Sequence, residues 1–215
     1  MAPRRFAILL DGAYVLRRIR TTRKLDTRPE VGHVLEECAR IRGHPLLQGL
    51  ELLRVYWYDA RPATSSVTNP VSRTKTHLGR SPVFHAASSF LQELELERDM
   101  ALRLGEVSVT SSWQLRQRSL GELAATGRPL HADDLKPDIQ QKGVDLRIGL
   151  DMARLALRDL VSTIVVVTGD SDMIPAFKFV RREGIRVVLD DLGGPVKREL
   201  RVHADRVLGR DSAGP

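Results

Sequence analysis

The run Thr163-Ile164-Val165-Val166-Val167-Thr168, closed by Gly169-Asp170-Ser171-Asp172, decides how the rest of the chain is read. Its β-branched residues favour extended backbone. It shows no polar alternation, so it predicts a strand covered on both faces. Such a strand needs helices above and below it, and the flanking sequence supplies them. Gln141-Lys142-Gly143-Val144-Asp145 opens a predicted helix running to about Leu160. Met173 to Glu183 predicts another, ended by Gly184 as C-cap, with Ile185 to Leu189 as the next strand. Pro195 opens a last helix near Val202, and Ala204 to Leu208 reads as a short terminal strand.

The N-terminal half shows the same alternation. Arg5 to Leu10 is an apolar run stopped by Asp11-Gly12, a second buried strand, and a helix starts at about Tyr14. Val31, Val34, Leu35, Cys38 and Ile41 recur at helical spacing between Glu30 and Ile41, and Leu50 to Tyr58 reads as a strand ended by Asp59. Phe84 to Leu104 is helical in pattern, through Phe90, Leu91, Leu94 and Leu102, and Gly105 to Ser111 alternates like a strand. The expectation is a single α/β domain over residues 1–215 with a mostly parallel sheet and helices on both faces. A long Pro-, Ser- and Thr-rich loop is expected at about 60–82, and a polar insertion at about 115–136.

Composition narrows the partners. At 42% apolar and 28% charged, the chain is too hydrophobic to be disordered, and its apolar runs are far short of a membrane span. The only cysteine, Cys38, excludes a disulfide within the chain and a thiolate-rich zinc site. The opening residues do not read as a signal peptide, so a cytoplasmic protein is expected, with no membrane partner. The net charge of +7 is open to two explanations: an anionic partner such as nucleic acid, or the arginine bias of a GC-rich genome, since 28 of 34 basic residues are Arg. Aromatic residues make up 5%, too few for a broad base-stacking platform. A Val/Leu-rich sheet edge is compatible with a homodimer, and nothing in the sequence selects one.

Acidic residues end both buried strands: Asp11 after the first, Asp170 and Asp172 after the second. In an open parallel sheet the strand C-termini share one edge, where ligands bind. Each aspartate taken singly also reads as a cap for the following helix. Taken together, carboxylates 4–5 Å apart repel by roughly 3–4 kcal/mol at an effective dielectric of about 20, which a hard cation relieves. Oxygen-only ligands suit Mg²⁺ or Mn²⁺, and the histidines are scattered without ligand spacing. Asp145, at the start of its predicted helix, is the fourth candidate ligand. Its other reading is stabilisation of the helix N-terminus. Asp151, about 240° further round, stands behind it at most. Lys142 is a candidate phosphate contact or acid-holding residue, or simply a solvated lysine.

These residues resemble the NYN family of PIN-like nucleases, in particular its LabA-like bacterial branch. The matching pieces are the strand ending in Asp11-Gly12, Tyr56-Trp57-Tyr58-Asp59, Gln141-Lys142-Gly143-Val144-Asp145 with Asp151, and Val167-Thr168-Gly169-Asp170-Ser171-Asp172; Leu200 to Leu208 is similar to the family's ending. The resemblance implies a PIN-like three-layer α/β/α sandwich, an acidic pocket for Mg²⁺ or Mn²⁺, and endoribonuclease-like cleavage of phosphodiesters. The family usually has Asn three residues after its first Asp. Here that position is Tyr14, whose phenol lacks an amide's paired donor and acceptor.

The leading expectation is metal-dependent hydrolysis of RNA, with DNA as another possible polymer. Asp11, Asp145, Asp170 and Asp172 would hold the cation, and Ser171 would help orient water or a phosphate oxygen. Arg17, Arg18, Arg20, Arg23 and Lys24 near the first turn, with Arg73, Lys75 and Arg80 in the long loop, would guide the strand; solvated faces are the competing reading. A non-catalytic RNA-binding or regulatory protein on the same scaffold is the alternative, favoured by Tyr14. A haloacid-dehalogenase-type phosphatase would need an Asp where Ala13 stands, and a toprim-like fold an upstream Glu motif that is missing.

Overall fold

Nine strands and seven α-helices are built along residues 4–209, the part that the computed structural model describes. In chain order they are β1 (Arg5–Asp11), α1 (Gly12–Thr22), α2 (Val31–Arg42), β2 (Glu51–Ala60), β3 (Ser66–Thr68), β4 (Lys75–His77) and α3 (Pro82–Glu95). Then come β5 (Met100–Leu115), α4 (Gln117–Thr126), β6 (Leu135–Lys142), α5 (Val144–Leu157), β7 (Thr163–Val167), α6 (Ile174–Arg182), β8 (Arg186–Asp190), α7 (Arg198–Val202) and β9 (Arg206–Leu208). The chain forms two compact units. One holds the residues up to Asp59, Phe90–Gly105, and everything from Gly143 onward; the other holds Ala60–Ser89 and Glu106–Lys142.

The first unit carries the strand order β5-β2-β1-β7-β8-β9. β1 lies parallel to both β2 and β7, and β7-β8 and β8-β9 are parallel as well. The chain moves one way from β1 to β2 and the other way from β7 to β8. Right-handed crossovers therefore put α1 and α2 on one face and α6 on the other. This is the three-layer arrangement expected of a PIN-like sandwich.

Two-residue periodicity divides the core accordingly. Phe6, Ile8, Leu10, Val165, Val167, Val55 and Trp57 join Val15, Ile19, Val34 and Ile41 in one apolar cluster. The intervening Ala7, Leu9, Ile164, Val166, Val187 and Leu189 are equally buried, as are Ile148, Met152, Phe177 and Val180 of α5 and α6. The continuous apolar runs are thus two half-cores interleaved.

In the second unit the outer half of β5 pairs antiparallel with β6, Glu106 opposite Lys142. The stretch expected to be loop at 60–82 contains the hairpin β3-β4, and the expected insertion contains α4. Two boundaries depart from expectation. The helix predicted to reach Leu104 stops at Glu95, because Asp99 takes a left-handed turn (φ 63°) and Met100 starts β5. Leu102 matched the helical period by coincidence. Gln140 to Lys142 belong to β6, and the helix begins only after Gly143, at φ 73°. No helix among the described residues is long and apolar enough to cross a membrane.

Candidate active site

Strand order reverses between β1 and β7, and ligands of open α/β sheets bind in the crevice beyond the strand ends at such a switch point. Asp11 ends β1, and Asp170 follows β7 by three residues. Both serve as caps. The Tyr14 amide donates to Asp11 Oδ1 (3.1 Å), and the Asp172 amide donates to Asp170 Oδ1 (2.9 Å). The capping and functional readings therefore coexist in the same side chains.

Thr168 ties the two strand ends together. Its hydroxyl donates to Asp11 Oδ2 (3.1 Å) and accepts the Asp170 amide (3.1 Å), and the residue is fully buried. Sequence reasoning passed over it, although a threonine just before Gly-Asp at a buried strand end was the available signal.

Asp11 and Asp145 feel the charges of neighbouring acids. Burial pushes the Asp11 carboxyl above its ordinary value against the opposing hydrogen bonds from Tyr14 and Thr168, and the charges of Asp145 and Asp170 push it further. Asp145 sits in the first turn of α5. Its carboxyl is raised by partial desolvation, although the residue as a whole is exposed, and by the charges of Asp170 and Asp172. Among the described residues no three His, Cys, Asp or Glu groups stand close enough to ligate an ion as they are. The donor set is nevertheless all oxygen, mutually repelling and partly desolvated, which is the chemistry of a hard-cation site.

Tyr14 turns away from amide-like chemistry. Its hydroxyl donates to the Asp191 carbonyl (2.6 Å), and a Cβ on Gly169 would lie 2.3 Å from its ring. Arg18 donates to the carbonyls of Gly193 (2.9 Å) and Leu192 (3.3 Å), so one turn of α1 holds the segment after β8. Burial pushes the phenol up to about 12, so it remains a donor at neutral pH. Ser171 accepts from Lys197 Nζ (3.3 Å). Lys197 is a second residue that sequence reasoning missed, since it lies outside any periodic element.

Other expected residues lie elsewhere. Asp151 accepts from the Tyr58 hydroxyl (2.9 Å) and pairs with Arg103 (3.0 Å), which braces α5 against β2 and β5. Lys142 is the exposed last residue of β6, in the second unit. Arg20 donates to the Leu25 and Asp26 carbonyls, and Arg23 pairs with Glu36 and Glu37. Arg17 stacks over Tyr14 at 5.5 Å and is exposed, like Lys24. Arg73, Lys75 and Arg80 are exposed on the second unit, around β3-β4.

Fold and site together define an α/β protein with an acidic crevice at a parallel-sheet switch point. The NYN domain model matches residues 87–208, more than half of the chain, and the chain belongs to the NYN domain family. The matched stretch contains Asp145, Asp170 and Asp172 and begins after Asp11 and Tyr14. A crystal structure of a protein of unknown function from Vibrio parahaemolyticus is similar in fold, at 16% identity and TM-score 0.51, over 98% of this chain and 95% of that one. No curated protein matches the chain.

Proposed function

We propose that this chain is a metal-dependent endoribonuclease, of the LabA-like branch and cytoplasmic, that hydrolyses RNA phosphodiesters with Asp11, Asp145, Asp170 and Asp172. The observation that carries the reading is the Asp11–Thr168–Asp170 hydrogen-bonded chain at the switch point, with Asp170 and Asp172 near enough to Asp145 to disfavour its charge. These four carboxylates would hold Mg²⁺ or Mn²⁺. Such an ion lowers the pKa of bound water and offsets charge developing on phosphate. Thr168 fixes the rotamer of Asp11 by donating to Oδ2. Lys197, beside Ser171, offers a cation to a phosphate oxygen, and Tyr14 and Arg18 hold the neighbouring segment in place. Arg17 and Lys24 on the first unit, and Arg73, Lys75 and Arg80 on the second, are exposed cations available to a polyanion.

Incubation of single-stranded and structured RNA with the protein in Mn²⁺ tests the reading, with DNA of the same sequence as the rival polymer. EDTA and Asp170→Asn are each expected to reduce cleavage at least about 100-fold, the scale of losing a metal ligand's orientation. Cleavage that survives both treatments sinks the proposal.

A second reading, a non-catalytic RNA-binding protein, is favoured by the engagement of Tyr14 with Asp191 and the lack of a ready three-ligand cage among the described residues. It predicts RNA affinity falling steeply with salt and no turnover in any divalent metal.

A further inference from the structure

We infer that a basic groove at the sheet edge opposite the aspartates grips the RNA strand several nucleotides from the cut, an inference that rests on the reading of RNA as substrate. The groove has a volume of about 770 Å³. It is lined by Lys178, Arg181, Arg182, Arg186 and Arg206, with Asp205 as its one acid.

The placement follows from the fold. Lys178, Arg181 and Arg182 are three and four residues apart on α6 and so share a side of the helix. Arg186 opens β8 and Arg206 opens the adjacent parallel strand β9. These strands start where β1 and β7, with their acids, do not end, so groove and crevice lie at opposite edges of one parallel sheet.

Asp205 does not neutralise the groove. It accepts from Arg181 (2.9 Å) and from the Val187 amide (2.8 Å), so its charge is committed to holding β9 beside β8. Lys178, Arg182, Arg186 and Arg206 are exposed, and among the described residues none of them pairs with a carboxylate. Basic residues in the last turn of a helix complement its dipole, which accounts for Arg181 and Arg182. It does not account for Lys178 or for the two strand-opening arginines. One phosphate needs one or two cations; a row spread over a helix end and two strand starts matches a chain of phosphates. Leu46 and the buried Ile185 add an apolar lining that a base can cover.

α6 measures the separation. It follows Asp172 at one end and lines the groove at the other. Its nine residues span about 13 Å at about 1.5 Å each. A stacked strand rising about 3.4 Å per nucleotide needs about four nucleotides to cover that length. Short RNA therefore reaches the crevice without the groove, and longer RNA engages both.

The test measures binding of a labelled single-stranded RNA 20-mer in EDTA to the full chain and to Arg182→Glu/Arg206→Glu, with Arg98→Glu/Arg158→Glu as a charge-matched control elsewhere. The groove variant is expected to lose at least about tenfold in affinity, and its log–log salt slope to flatten by about 1.4, two phosphates at about 0.7 each. Arg182→Lys/Arg206→Lys, which keeps the charge, is expected to retain the affinity with an unchanged melting temperature. Unchanged binding by the Glu variant, an equal loss in the control, or a loss confined to anionic lipid vesicles overturns the inference. Binding in EDTA needs no turnover, so a catalytically silent protein leaves this test intact. Cleavage of an RNA dinucleotide in Mn²⁺, too short to reach the groove, is likewise expected to be unchanged in the groove variant.

Discussion

Tyr14 shows how one side chain on the first turn of α1 acts on the far end of the fold. Its hydroxyl reaches the carbonyl of Asp191, 177 residues away, and its ring occupies the space that a side chain at position 169 would need. Tyr14→Phe keeps the ring and deletes the donor. The Asp191 carbonyl keeps its bond from the Gly194 amide (2.7 Å), so only the net worth of one hydrogen bond is lost, and a cost of about 0.5–1.5 kcal/mol in urea unfolding is expected. Gly169→Ala pushes a methyl into that ring and is expected to cost about 1–3 kcal/mol, the range for overpacking. In a Tyr14→Ala background the Gly169→Ala cost should largely vanish; equal costs in both backgrounds would show that the ring is not the obstacle. At this scale the positions of the candidates Asp11, Asp145, Asp170 and Asp172 were legible in the sequence, because a carboxylate at the end of an apolar strand, or at the start of a helix, stands out. The role of Thr168 was not, since its partners lie in two strands that only the tertiary fold makes neighbours. Lys197 left no trace either, because its meaning depends on where the segment after β8 passes Ser171.

The elements that position the acids were legible to the degree that burial dictates their pattern. β1 and β7 have every central residue buried, so unbroken apolar runs identified them, and the order of strands and helices around them implied a parallel sheet. Residues 100–104 and 140–142 were misread because β5 and β6 are only partly buried, and neither alternation nor helical spacing is enforced along them. The boundary between β6 and α5 rests instead on a backbone conformation. Gly143 sits at φ 73°, and the helix starts on the next residue, Val144, one before Asp145. A side chain there costs about 1–2 kcal/mol in the left-handed region. Gly143→Ala is therefore expected to lower the melting temperature by about 2–8 °C, and to reduce Mn²⁺-dependent cleavage more than its stability loss explains, because Asp145 is displaced. Gly143→Asn, which tolerates this conformation better, is expected to lie between the two; a melting temperature unchanged by Ala would remove the strain argument.

Over the whole molecule, the excess of arginine has an internal use besides its surface one. Asp190, at the end of β8, is fully buried, and Glu37 on α2 nearly so; Arg40 of α2 pairs with both, while Arg201 pairs with the buried Asp191 (2.7 Å). Part of the basic surplus thus neutralises acids that the sheet and its covering helices enclose, so net charge alone overstates what is offered to a polyanion. Arg40→Met keeps the stem and takes from Asp190 its ion-pair partner, whereas Glu37 keeps Arg23. Because Arg40 is itself partly exposed, the expected cost at pH 7 is about 3 kcal/mol, the low end for breaking a buried pair. The pH dependence has a definite sign. Burial outweighs the attraction of Arg40 and holds the Asp190 carboxyl above its ordinary value of 3.8. The folded state therefore binds this proton more tightly than the unfolded chain does, and the group's favourable contribution is complete below about 3.8 and lost as pH rises through the raised value. Removing Arg40 deletes the main force opposing that rise, so the carboxyl moves higher and more stability is lost by neutral pH. Urea unfolding of wild type and Arg40→Met at pH 7 and pH 5 is expected to show a gap that narrows on acidification, as Asp190 takes up its proton and no longer needs the guanidinium. A gap that stays constant or widens at pH 5 would mean that the arginine contributes through the packing of its stem, and that the charge on Asp190 is not what it serves.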